Sequence, residues 1–263
     1  MGKITKALKK AASDRLSRME KLDEKGEVRY EFVAQKTVDS DIDPRIVTFY
    51  DPLSPVTEQY RTFRTNLQSI RKDNKPMRVI TITSSTHSEG KTITAINLAV
   101  SMAQDMSKKK ILLVDADLRR ARLDHYLGIE SDMGLADLVT DGARVEDVLL
   151  NVGIDNLTVL PAGKLPHNPA DILGSNKMKN LIAALRAKYD YVIFDTPPVI
   201  SVTDAGLVGA LTDGVLVVVK ASKTQRGVVK HSEALLRQAQ ARLLGYVLTN
   251  IEYHIPAYIY RYL

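Results

Sequence analysis

From Arg78 onward, short apolar runs rich in β-branched residues alternate with longer stretches in which apolar residues return every three or four positions. The runs are Val79 to Thr83, Ile111 to Val114, Leu157 to Leu160, Tyr191 to Phe194, Val215 to Val219 and Tyr246 to Thr249. Most are apolar without alternation, as strands covered on both faces are. The pattern predicts an α/β fold, a doubly wound and mainly parallel sheet with helices on both sides. Ahead of it, Ser54 to Ile70 reads as a helix introduced by Pro52 and Pro55. In the first 25 residues Ile4, Ala7, Leu8, Ala11, Ala12, Leu16 and Met19 fall at helical spacing, with lysines and arginines on the other side, so an N-terminal helical extension is expected. Glu24 to Asp43, followed by Pro44, keeps no period and reads as a linker. The expected organisation is a basic amphipathic helix and linker over 1–43, an α/β domain over 44–250 and a tail over 251–263.

Composition narrows the classes. At 263 residues, 44% hydrophobic and 26% charged, the chain can bury one sizeable core and is too apolar for a disordered one. It has no cysteine, which excludes a disulfide framework and a thiolate zinc site. The net charge of +6 is concentrated in Lys3, Lys6, Lys9, Lys10, Arg15 and Arg18, a basic arm rather than a basic domain, so no nucleic-acid partner is expected. No run approaches the ~20 apolar residues of a membrane span. The basic start leads into no apolar segment with a cleavage site, and the expected location is the cytoplasm. Whether the N-terminal helix meets lipid, an adaptor protein or its own domain is open at this level.

The chemistry lies at the strand ends. Ser85, Thr86, His87, Ser88, Glu89, Gly90, Lys91 and Thr92 follow the first strand run and precede the helical run Ile93 to Ala103. In this order a loop cradles phosphate with backbone N–H groups at a helix N-terminus, Lys91 reaches the outer phosphates and Thr92 ligates Mg2+. Ser85 stands where the general motif has its first glycine. Two further strand runs end in Asp115 and Asp117, and in Asp195. In a doubly wound sheet these carboxylates and Lys91 converge beyond the strand ends, where Mg2+ with nucleotide phosphates makes such acidic crowding useful. No guanine-reading Asn-Lys-x-Asp is present, since Asn176-Lys177-Met178-Lys179 fails at its last position, so ATP is the expected nucleotide.

From about Ser54 to its end the chain resembles the bacterial tyrosine kinases of capsule and exopolysaccharide synthesis. Thr83 to Thr92 is similar to their Walker A loop, ILLVDADLRR (Ile111 to Arg120) to their Walker A′ motif and YVIFDTPP (Tyr191 to Pro198) to their Walker B motif. Glu58-x-x-Arg61-x-x-Arg64 is similar to their ring-forming motif, and PHNPADILGS (Pro166 to Ser175) is also family-like. The resemblance implies ATP-dependent autophosphorylation on tyrosine, with Lys91 and Thr92 at the phosphates and metal, Asp117 and Asp195 around Mg2+, and Asp115 as base toward the tyrosine hydroxyl. It further implies a ring-like homo-oligomer that phosphorylates in trans, a separate membrane-spanning chain-length regulator that recruits the kinase to the membrane, and a phosphotyrosine phosphatase. The chain departs from the family at His87-Ser88, where Pro-Gly is usual, and at Ala121, where proline is usual. If position 88 needs a positive φ, serine there is strained by about 1 kcal/mol. The rival class is a P-loop ATPase of the partitioning or septum-placement type, which carries a signature lysine early in the loop; residues 84 to 90 contain none.

Eleven tyrosines in 263 residues place roughly 0.5 in the last eleven positions on composition alone, yet Tyr253, Tyr258, Tyr260 and Tyr262 are there. They are the expected phospho-acceptors. An edge strand is the plainer alternative, because Tyr258, Tyr260 and Tyr262 alternate.

Overall fold

The computed structural model describes residues 36–37, 41–72, 74–140 and 143–251. The N-terminal helix, most of the linker and the four tail tyrosines lie outside the described residues.

Apolar runs without alternation become strands because both of their faces are covered. The strands are β1 (Lys36–Thr37), β2 (Arg71–Lys72), β3 (Lys75–Pro76), β4 (Val79–Ser84), β5 (Ile111–Asp115), β6 (Leu150–Asn151), β7 (Leu157–Leu160), β8 (Tyr191–Asp195), β9 (Gly214–Lys220) and β10 (Leu243–Thr249). Eight of them form one sheet in the order β1-β6-β7-β5-β8-β4-β9-β10, parallel except for the β6–β7 pair, and β2 and β3 form a separate antiparallel pair. Successive residues of a strand serve opposite cores. Ile80, Ile82, Ile111, Leu113 and Ile193 belong to one cluster, whereas Val79, Leu112, Val114, Val192 and Phe194 belong to the other.

The helices are α1 (Val47–Tyr50), α2 (Pro55–Ser69), α3 (Lys91–Ala103), α4 (Leu123–Leu127), α5 (Leu135–Thr140), α6 (Val145–Val148), α7 (Pro169–Leu173), α8 (Asn176–Lys188), α9 (Asp204–Leu211) and α10 (Arg226–Gln238). Ser54 caps α2 by accepting from the Thr57 N–H at 3.1 Å, and Pro55 occupies its first turn, where no N–H is needed. The first cluster packs α3, through Ile96, Val100 and Met102, against the sheet; the second packs α5 and α8, through Leu135, Val139, Met178 and Leu185, on the opposite face.

The segment ahead of α2 is bolted to α3 by one amide. Asn97 Oδ1 accepts from the Thr48 N–H and from Thr48 Oγ1, each at 3.0 Å, while Asn97 Nδ2 donates to the carbonyls of Arg45 and Ile93. Ile42 and Ile46 join the same core, so among the described residues close packing reaches back to Ile42. A run with no hydrophobic period can still supply isolated anchors, which periodicity does not register.

Candidate active site

The site forms where three parallel strands end. β4 runs into the phosphate loop, and α3 begins at Lys91 with Gly90 at φ +95 as its N-cap. A glycine is required there because L side chains rarely adopt that conformation. Asp115 ends β5 and is the register partner of Asp195, which ends β8. Adjacent parallel strands thus bring together carboxylates that lie 80 positions apart in the sequence.

Lys91 Nζ lies 2.9 Å from Asp117 Oδ2, 3.5 Å from Asp195 Oδ2 and 3.2 Å from Thr92 Oγ1. Thr92 Oγ1 donates to Asp195 Oδ2 at 2.6 Å. Burial alone would lower the ammonium pKa, but the charges of Asp195, Asp117 and Asp115 outweigh it and raise it. Burial pushes the Asp195 carboxyl up, against the opposing pull of Lys91 and Thr92. Asp117 Oδ1 and Asp195 Oδ1 are buried with no hydrogen-bond partner. Two such oxygens beside a threonine hydroxyl fit a hard divalent cation. Among the described residues no group of three or more His, Cys, Asp or Glu side chains could hold a metal by itself, so its remaining ligands would be phosphate and water oxygens.

Asp115 is the most deeply buried of the three carboxylates. It is fully buried, its Oδ1 accepts the Asp117 N–H at 2.9 Å, and its Oδ2 accepts the Leu123 N–H at 3.1 Å. Burial and the nearby Asp195 charge push its carboxyl well above the ordinary value. In this geometry it organises the loop that carries Asp117.

A cavity of about 280 Å³ opens over Lys91, Thr92 and Asp117. From the phosphate loop, His87, Ser88 and Gly90 line it, whereas Ser85, Thr86 and Glu89 do not. Arg45, Arg120 and Arg122 also line it, which the sequence reading did not single out. The adjacent arginines of the Asp117 loop divide their work. Arg119 pairs in a two-pronged contact with the fully buried Asp204, at 2.7 and 3.0 Å, and Arg120 faces the cavity. Only the fold separates them. An anionic ligand resting on the loop would meet Lys91 below and guanidinium groups beside it.

A family model described as an AAA domain matches residues 77–241. The tyrosine-protein kinase YwqD of Bacillus subtilis is 37% identical over 205 residues, covering 78% of this chain and 85% of that protein. The chain belongs to the bacterial tyrosine-protein kinases. Among solved structures, the chimerical protein CapA2B2 superposes with a TM-score of 0.75 at 31% identity, covering 83% of the kinase and 94% of that chain. The septum site-determining protein MinD of Pyrococcus horikoshii, complexed with Mg-ADP, superposes less closely, with a TM-score of 0.56 at 25% identity over 69% of the kinase and 75% of that chain. The kinase shares the P-loop nucleotide-binding fold of both and stands nearer the tyrosine-kinase branch.

Both departures from the family pattern fall on unusual backbone. Ser88 has φ +62, so the serine occupies the left-handed region, at a cost of about 1 kcal/mol. Ala121 has φ +38 and donates its N–H to the Asp117 carbonyl at 2.9 Å. Proline could adopt neither that φ nor that bond, so the turn after Arg120 is shaped for this kinase's own sequence. His87 Nε2 lies 3.2 Å from Ser201 Oγ, in the loop after β8.

The three charged residues of α2 do not share one role. Glu58 and Arg61 form an exposed pair at 3.0 Å. Arg64 turns back to its own domain, donating to the Ser101 carbonyl at 2.6 Å and lying 3.8 Å from Asp105.

Proposed function

We propose that the kinase moves the γ-phosphoryl group of ATP onto tyrosines of its own C-terminal segment, between copies of the chain, and that this reaction regulates exopolysaccharide or capsule assembly. The observation that carries the reading is the convergence of Lys91, Thr92 and Asp117 at the cavity, with Asp195 buried against Lys91 and Thr92, in a tyrosine kinase whose last eleven residues hold four tyrosines.

Lys91 is assigned to the outer phosphates. Thr92, Asp117 and Asp195 would hold Mg2+, which when bound draws negative charge from the phosphate oxygens. The tyrosine oxygen attacks phosphorus as the bond to the ADP oxygen breaks, and the hydroxyl proton passes to Asp117, the carboxylate that lines the cavity. A loose phosphoryl-transfer transition state asks little of that acceptor, so positioning and electrostatics supply most of the rate. Asp115 acts as a positioning residue through the Asp117 N–H.

Purified kinase incubated with ATP and Mg2+ should become phosphotyrosine-positive. ATP hydrolysis with no phosphotyrosine on the protein would replace this reading with a partitioning-type ATPase.

Glu58 and Arg61, exposed on α2, are proposed to meet the next subunit head-to-tail in a closed ring, with Arg64 fixing α2 against α3. Replacing all three with alanine should shift the protein to smaller species in light scattering. An unchanged mass, or a parent that is always monomeric, would remove the ring. Among the described residues no helix is long and apolar enough to cross a membrane. A separate membrane-spanning adaptor is proposed to bring the kinase to the inner face of the membrane.

A further inference from the structure

Glu89 sits inside the phosphate loop, yet its side chain is not part of the cavity wall and is only 3% exposed. Its carboxylate faces the other way. Oε2 accepts the Thr86 N–H at 2.6 Å, so that N–H is held within the loop. Oε1 accepts from Thr224 Oγ1 and, at 3.4 Å, from the Lys220 N–H. The Glu89 carbonyl accepts from Thr249 Oγ1 at 2.7 Å, and the Thr249 carbonyl in turn accepts the Ala221 N–H at 2.9 Å. One residue therefore ties the phosphate loop to the ends of β9 and β10.

The residues on either side of Glu89 show why a tie is needed. Ser88 at φ +62 and Gly90 at φ +95 are both left-handed, and such a loop keeps its shape only when its surroundings over-determine it. A buried carboxylate bonded by three donors supplies that constraint with charge-assisted hydrogen bonds. Thr249 closes β10 and lies four positions before Tyr253. The strand that leads into the tyrosine segment is thus bonded directly to the loop that cradles phosphate.

We propose that Glu89 is a positioning residue that clips the phosphate loop in its nucleotide-binding shape by two arms, its carboxylate to Thr224 and the end of β9, and its backbone carbonyl to Thr249 at the root of the C-terminal segment. The proposal rests on the assignment of the cavity to a Mg-nucleotide. It makes nucleotide affinity depend on Thr249, a residue outside the cavity. By linkage, whatever displaces the end of β10 alters nucleotide affinity, and nucleotide binding steadies that end.

The test is a fluorescence titration of the full chain with a fluorescent ADP analogue and Mg2+, alongside thermal melting. Thr249→Val removes only the hydroxyl donor and should weaken binding about fivefold, as the loss of one net hydrogen bond does. Glu89→Ala should weaken it by about tenfold or more. Glu89→Gln should recover part of that loss, because its carbonyl can still accept the Thr86 N–H while its amide donates to the Thr224 hydroxyl; a role in fold stability alone would not give this graded order at similar melting temperatures. If the parent binds the analogue and all three variants bind it equally well, the clip is overturned and the site assignment stands. If the parent itself fails to bind, the site assignment falls, and the clip with it. Should Glu89→Ala fail to fold, Thr249→Val and Glu89→Gln decide the matter.

Discussion

A Lys91→Met kinase should label tyrosine at least about 10³-fold more slowly than the parent, the scale of removing a charge-stabilising donor from a phosphoryl-transfer or oxyanion site. Lys91 is the cation that the structure places among Asp117, Asp195 and Thr92, and the charges of Asp115, Asp117 and Asp195 keep it protonated. Without it, the outer phosphates would approach a floor of carboxylates with no lysine to offset them. The fold should survive, because Lys91 opens α3 and the core of that helix begins further along, at Ala95, Ile96 and Leu98. Methionine keeps the apolar stem and has high helix propensity. Asp195→Asn should give a similar loss by weakening the hold on Mg2+ and the bond from Thr92. Circular dichroism and melting check the fold, and radiolabel from γ-labelled ATP checks the reaction. Either variant labelling at the parental rate would show that the site has been assigned to the wrong residues.

Catalytically dead Lys91→Met protein with an intact tail should become labelled when mixed with an active kinase whose Tyr253, Tyr258, Tyr260 and Tyr262 are all phenylalanine. The active partner should stay unlabelled on its own tail. The described chain closes at Ile251, just after Thr249 is bonded to the carbonyl of Glu89, a residue that does not line the cavity. Starting from there, the segment is proposed to enter a neighbour's cavity rather than its own. Each phosphate adds about −1.5 to −2 charges, so several of them within a few residues would repel one another and the acidic site, and the proposed ring would then be expected to release the tail and open. Mass spectrometry of the dead partner locates the label. Its absence from all four tyrosines, with the unmutated parent also silent there, would end the autokinase reading in favour of plain ATP hydrolysis.

Elements whose signal is local were legible in the chain. The strands β4, β5, β7, β8 and β9 could be read from apolar runs because each is buried on both faces, and α2 could be read from Ser54 and Pro55 because a cap and a first-turn proline act within one turn. The phosphate loop was legible because strand, loop and helix are consecutive. So was the need for an explanation of Ser88, whose φ depends on its own backbone. β1, β6 and the β2–β3 pair were missed because two residues carry no period.

Tertiary structure decided matters that depend on residues far apart in the sequence. Asp115, Asp117 and Asp195 look alike in sequence as carboxylates at strand ends, but β5–β8 pairing sets Asp115 beside Asp195, and the turn after β5 covers it with the Asp117 and Leu123 N–H groups, while Asp117 lines the cavity. Arg119 and Arg120 are adjacent identical side chains, and only the buried Asp204, 85 positions from Arg119, separates an ion pair from a cavity wall. Arg64 has the spacing of a subunit contact, yet the end of α3 takes it up. Glu89 belongs to the loop by sequence and to β9 and β10 by bonding. Local propensity fixes which elements form and where ligand chemistry gathers. A side chain's partners, and with them its electrostatic role, are set by contacts that exist only after the sheet has closed, because hydrogen bonds and ion pairs act over a few ångströms of space whatever the separation along the chain.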